Sequence, residues 1–184
     1  MKIYRFAIHS FLLVCISAIG LGAPMSAGAE KSIEERAAQV FDDILVQQGA
    51  PVLQALIVRS RDEAVRAGVL PIPAAIRQRL VGFVPDHVLD AARYRIQGGD
   101  DLSLQVNAIR YGDTAAITLD HVIVFKKPDD ALHNPTLWVH ELTHVVQYQR
   151  WGIRDFSIHY LRNYQAVEQE AYTAEEKYIA WAGT

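Results

Sequence analysis

The chain has 184 residues, 18 Lys and Arg against 21 Asp and Glu, and 51% hydrophobic residues. That length suits one domain with a sizeable core. The formal net charge of −3 argues against nucleic acid as a partner, and a single cysteine excludes any intrachain disulfide.

Residues 1–29 have the pattern of a signal peptide. Lys2 and Arg5 supply a short positive region, and Phe11 to Leu21 is the apolar stretch. Ala27-Gly28-Ala29 is a small-residue cleavage signal, so cleavage is expected between Ala29 and Glu30. An uncleaved anchor is the alternative, although the apolar run is short for a bilayer. Cys15 lies inside that run and lacks the small residues expected before a lipidated cysteine. The mature chain would be periplasmic or secreted, two charge units more negative and without any cysteine. No membrane association is expected after cleavage.

Residues 30–83 read as a helical N-terminal part. Ser32 to Gln48 is predicted as one helix, with Ser32 and Glu35 as a capping box. Its apolar stripe is Val40, Phe41, Ile44 and Leu45, and Gly49 is its stop. Pro51 to Ala67 is predicted as a second helix, with Val52, Leu53, Leu56, Ile57 and Val65 apolar. Pro71 and Pro73 break the chain, and short helices are expected over Ala74–Val81 and Pro85–Arg93. None of these carries a chemical signature.

From Arg93 the pattern turns to β. Tyr94-Arg95-Ile96 precedes a Gly98-to-Asp101 turn cluster, and Leu102, Leu104, Val106 and Ala108 alternate. Ala115 to Leu119 and Val122 to Phe125 read as a hairpin with Asp120-His121 at its tip, one continuous strand being the alternative. Lys126 to Pro135 reads as a polar loop.

Next comes Trp138-Val139-His140-Glu141-Leu142-Thr143-His144-Val145-Val146-Gln147. Pro135 and a capping Asn134 or Thr136 precede an apolar-periodic run, so the stretch should be a half-buried helix. On a helix, residues four apart share a face about 5–6 Å apart. His140 and His144 can therefore bind one Zn²⁺. Glu141 lies about 100° round the helix, able to reach a water on that ion but not the ion itself. This is the H-E-x-x-H arrangement of zinc peptidases, with Glu141 as general base.

A catalytic zinc wants a third protein ligand and an open position. The downstream candidates are Asp155, His159, Glu168, Glu170, Glu175 and Glu176. A metzincin would need glycine at position 147 and histidine at 150, where this chain has Gln147 and Arg150. The remaining common design takes a glutamate from a following helix. Gly152 should end the metal helix, Phe156 to Tyr164 form a short one, and Ala166 to Ala182 the last. Glu168 and Glu170 are about 200° apart on it, so only one can face the metal.

His140-Glu141-Leu142-Thr143-His144-Val145-Val146-Gln147, followed by Glu168-Gln169-Glu170-Ala171, resembles the zincin domain of the extracellular contractile injection system core family. The hairpin just upstream is similar too, and the likeness covers roughly residues 84–172. More broadly the chain resembles gluzincin metallopeptidases. The resemblance implies Glu168 as third ligand. It also implies an acidic or amide residue four positions later, where this chain has Tyr172. Tyr172 could instead donate its hydroxyl to a developing oxyanion; its plainer role is packing.

The expected fold is α+β and zincin-like. Residues 30–83 contribute N-terminal helices, and residues 84–184 a small antiparallel sheet and two metal-bearing helices, all within one compact domain. The expected function is an exported zinc metallopeptidase acting on a peptide or protein. The alternative is a non-catalytic or secretion-associated binding module that keeps a structural zinc.

Overall fold

The computed structural model describes residues 33–97 and 114–183. The signal-peptide reading, the Ser32 cap and the alternation from Leu102 to Ala108 lie outside the described residues.

In chain order the elements are α1 (Ile33–Arg66), β1 (Leu70–Pro71), α2 (Ala74–Leu80), α3 (Asp86–Ala91) and β2 (Arg93–Ile96). They continue with β3 (Ala116–Leu119), β4 (Val122–Phe125), α4 (Pro128–His133) and α5 (Pro135–Ala182). The architecture is α+β, mostly helical, with one four-stranded sheet. Among the described residues no helix is long and apolar enough to cross a membrane.

The sheet order is β1-β2-β4-β3. β3 and β4 form the expected hairpin, with Leu119 opposite Val122 and Asp120-His121 between them. Asp120 has φ +61°, a left-handed conformation that Asp tolerates better than most residues. Arg61 Nη1 donates to Asp120 Oδ2 at 3.1 Å and ties α1 to the hairpin tip.

The sheet is not purely antiparallel, as the sequence suggested: β2 runs parallel to β4. The reason is where β4 sits. Val122, Ile123, Val124 and Phe125 are all fully buried, so this strand needs neighbours on both edges and cover on both faces. The hairpin supplies one edge and β2 the other. Leu70-Pro71, read from sequence as a break, is a two-residue strand on the outer edge of β2. Proline is admissible at that position because an edge strand need not donate every ladder bond.

Strand alternation splits the core. Ala116, Ile123 and Phe125 join Ile76, Leu80, Val88, Trp138, Leu142 and Val145 on one side. Leu119, Val122 and Val124 join Ala64 of α1 on the other. Thr118 follows Ala116 by two residues and so faces the α5 side. Tyr94, Phe125 and Trp138 pack edge-on and tilted, with centroids 4.7–6.2 Å apart.

Two further expectations need correction. The two N-terminal helices are one, since α1 runs through Gly49 and Pro51. A proline inside a helix costs about 3 kcal/mol, which α1 offsets by packing on α5. Ile57 of α1 shares a core with Tyr148, Phe156 and Val167. A Cβ at Gly49 would stand 3.1 Å from Leu161 Cδ1, so this glycine permits a close approach of α1 to α5 instead of ending the helix. Most of the expected apolar stripe that is described faces outward: Val40, Ile44, Leu45, Val52, Leu56 and Val65 are exposed, while Leu53 and Ile57 pack inward. The second correction concerns residues 126–135, read as a polar loop. They contain α4, started by Pro128 at its first turn and held by Trp138 Nε1 donating to Ala131 O at 2.8 Å.

Candidate metal centre

α5 is a helix broken twice, with non-helical backbone at Gly152 (φ +72°, ψ 166°) and Asn163 (φ −157°, ψ 74°). Its segments 135–151, 153–162 and 164–182 correspond closely to the three helices expected from sequence. Asn134 caps the first, its Oδ1 accepting from Leu137 N at 3.1 Å, and Pro135 follows as first helical residue. Asn163 caps the third by accepting from Ala166 N at 3.1 Å. The left-handed Gly152 lets the chain turn back, so the third segment lies along the first.

That return brings Glu168 to the two histidines. His140 Nε2 and His144 Nε2 are 3.2 Å apart. Glu168 Oε2 is 3.2 Å from the first and 3.5 Å from the second. All three side chains are buried, and together they could hold a metal ion. Two tetrahedral ligand atoms with bonds of about 2.0–2.1 Å to one zinc stand about 3.3 Å apart, so the triangle has the right size.

The protons of the site support the same reading. Gln147 Nε2 donates to Val167 O at 2.9 Å and to Glu170 Oε2 at 3.0 Å. Its Oε1 is therefore left to accept from His144 Nδ1, 2.8 Å away. Glu175 Oε1 accepts from His140 Nδ1 at 2.7 Å. With both Nδ1 atoms donating, neutral imidazoles turn two Nε2 lone pairs toward each other and toward a carboxylate. Only a cation satisfies three acceptors so placed. With a proton as that cation, burial alone would lower the pKa of His140, but hydrogen bonds to Glu168 and Glu175 outweigh it and raise it to about 10. Glu168 is held far below the usual carboxylate range: its burial is overcome by the hydrogen bonds from His140 and His144.

Each ligand candidate has its own orienting partner. Glu175 holds His140, and Gln147 holds His144. Tyr160 Oη donates to Glu168 Oε1 at 3.3 Å. Such partners fix ring orientation and ligand basicity at metal sites. Glu175 and Tyr160 were missed as orienting groups in the sequence. Glu175 lies two helical turns after Glu168, a same-face spacing that could have flagged it. The acidic partner expected four residues after Glu168 is thus supplied seven residues after it.

Glu141 is also buried, and lies beside the triangle without joining it. Thr118 Oγ1 donates to Glu141 Oε2 at 2.6 Å. Strand alternation in β3 aims Thr118 at this carboxylate, and Tyr148 Oη donates to Thr118 O at 3.4 Å. Tyr172 is half-buried, with its ring edge-on to His140 at 4.9 Å. Burial, and then the charges of Glu168 and Glu175, push its hydroxyl up to about 12. It therefore carries its proton at neutral pH.

The remaining candidates lie elsewhere. Glu170 faces Arg150, whose Nη2 is 2.6 Å from Glu170 Oε1. His159 packs on Trp151 at 4.4 Å, and Asp155 and Glu176 are exposed. His121 pairs with Asp120 and His133 with Asp129.

Residues 71–152 match the family model of the eCIS core domain. This is the family that the H-E-x-x-H helix and the upstream hairpin resemble. The match begins earlier than the resemblance read from sequence, at the second residue of β1, and takes in α2. It covers less than half of the chain and ends at Gly152, so His140, Glu141 and His144 fall inside it while Tyr160, Glu168 and Glu175 fall beyond it. No curated protein and no solved structure matches the chain.

Proposed function

We propose that the chain is an exported zinc-dependent metallopeptidase of gluzincin type. The observation that carries the reading is the buried triangle of His140, His144 and Glu168 with Glu141 alongside it. Two imidazoles and one carboxylate form the three-ligand set of a catalytic zinc, and zinc supplies the Lewis acidity that polarises a carbonyl and acidifies water. The chain's own groups divide the rest of the work. Glu141 takes the proton of the attacking water as the new C–O bond forms. It then delivers that proton to the amide nitrogen as the C–N bond breaks. Thr118 holds Glu141 Oε2 and so fixes the carboxylate's direction, leaving Oε1 for the proton. Tyr172 donates its hydroxyl to the oxyanion. Among the described residues β3 is an edge strand, and an extended peptide could add to it by main-chain hydrogen bonds.

A second reading is a non-catalytic, secretion-associated module that keeps a structural zinc. It draws support from the burial of Glu141, which is 4% exposed. A peptide-library digestion with the zinc-loaded protein separates the two. Cleavages that disappear in Glu141→Gln support the peptidase, and no cleavage across several libraries and pH values favours the module.

Both readings share two expected results. Glu168→Gln should lose zinc, while Glu170→Gln, altering a carboxylate turned to Arg150, should keep it; isothermal titration compares the two affinities. A greater loss in the second variant would reverse the assignment. Chelation should also lower the melting temperature. Zinc at about 100 times its Kd contributes about 2.7 kcal/mol, or about 5–10 °C for a domain of this size. An unchanged midpoint after verified zinc removal would show that the two α5 segments pack without the ion.

A further inference from the structure

We propose that Tyr160 sets how Glu168 binds the metal, holding it to one oxygen and keeping a coordination position open. This rests on the reading of His140, His144 and Glu168 as ligands.

The two oxygens of Glu168 have different surroundings. Oε2 faces both Nε2 atoms, at 3.2 and 3.5 Å. Oε1 accepts from Tyr160 Oη at 3.3 Å. A carboxylate free to rotate can chelate a metal through both oxygens. One oxygen held by a hydroxyl donor is drawn away from that arrangement. With two histidines and one carboxylate oxygen bound, a tetrahedral ion keeps one position free, as a catalytic zinc does.

The ring is well placed to exert this constraint. Tyr160 sits in the 153–162 segment and stacks on Phe156 at 5.7 Å, and Phe156 stacks on Tyr148 at 3.8 Å. Tyr148 is in the same helical segment as the two histidines. The donor to Glu168 is thus indexed to the histidine face through a column of rings, not through the helix that carries Glu168. Tyr160 touches a ligand and not the reacting atoms, which makes it a positioning residue.

The test is cobalt(II) titration of the full chain and of Tyr160→Phe, read by visible absorption. Phenylalanine keeps the ring stack and removes only the hydroxyl. Wild type should show the intense bands of a four-coordinate ion. In Tyr160→Phe the bands should weaken severalfold as Glu168 takes up both-oxygen binding, and affinity should fall about tenfold or more. The spectrum decides, because a merely structural role would not move it. Unchanged bands in a folded variant overturn the proposal while leaving the metal site standing. No cobalt or zinc bound by wild type would instead overturn the ligand reading itself. Should the variant fail to fold, the crystal structure of zinc-loaded wild type decides: Glu168 bound through one oxygen supports the proposal, and binding through both overturns it.

Discussion

Glu141→Gln should keep its zinc and its melting temperature while losing turnover by about 10²–10⁴-fold. The amide is nearly isosteric with the carboxylate, and its oxygen can still accept from Thr118, which stands 2.6 Å from Glu141 Oε2. His140 and His144 are untouched, and Glu141 is outside the ligand triangle. Only the proton acceptor is removed. The measurement is cleavage of a peptide library by zinc-loaded wild type and variant, mapped by mass spectrometry, beside metal content and a thermal melt. Identical maps would mean that Glu141 is not the base. Loss of zinc in the variant would mean that Glu141 helps to hold the ion.

His144→Ala has the second large expected effect, and it falls on binding. Structural zinc in zinc-finger peptides binds with about 10–16 kcal/mol in all, which sets the scale for a buried three-ligand site. Removing one of three protein ligands should forfeit roughly a third of that, or about 10²–10⁴-fold in affinity. The loss spreads to the neighbours. Gln147 Oε1 would lose the His144 Nδ1 donor 2.8 Å away, and a buried acceptor without a partner costs about 1–3 kcal/mol. The variant should therefore melt earlier than wild type even when both are stripped of metal. Metal analysis of protein purified from zinc-containing medium checks the first effect, and melts in chelator check the second. Full zinc stoichiometry in both His140→Ala and His144→Ala would contradict the ligand assignment.

The metal helix was readable in the sequence because everything that makes it is local. Asn134 and Pro135 start it, four-residue spacing sets the histidines on one face, and Gly152 ends it. The hairpin was readable for the same reason, since Asp120-His121 separates two strands that pair directly. What escaped the sequence depends on contacts between distant segments. Glu175 reaches His140 only because the chain reverses at Gly152 and restarts at Asn163. Tyr160 reaches Glu168 from a different segment of α5, with no fixed spacing to announce it. α1 was read as two helices because Gly49 and Pro51 break helices by local propensity. Packing against Leu161 and the Tyr148–Phe156 pair overrides that propensity. The parallel pairing of β2 with β4 was hidden because strand direction is set by the path between strands, not by either strand's residues. Glu168 and Glu170 could be set apart by helical angle, but the direction of the helix that carries them could not be read.

The most direct test is a crystal structure of the protein grown with zinc, with anomalous diffraction recorded on both sides of the zinc edge. One peak should appear among His140 Nε2, His144 Nε2 and Glu168, with Glu141 outside bonding distance and one position left without a protein ligand. A peak elsewhere, a fourth protein ligand on the ion, or no peak in protein equilibrated with zinc would each contradict a catalytic metal centre built on these residues.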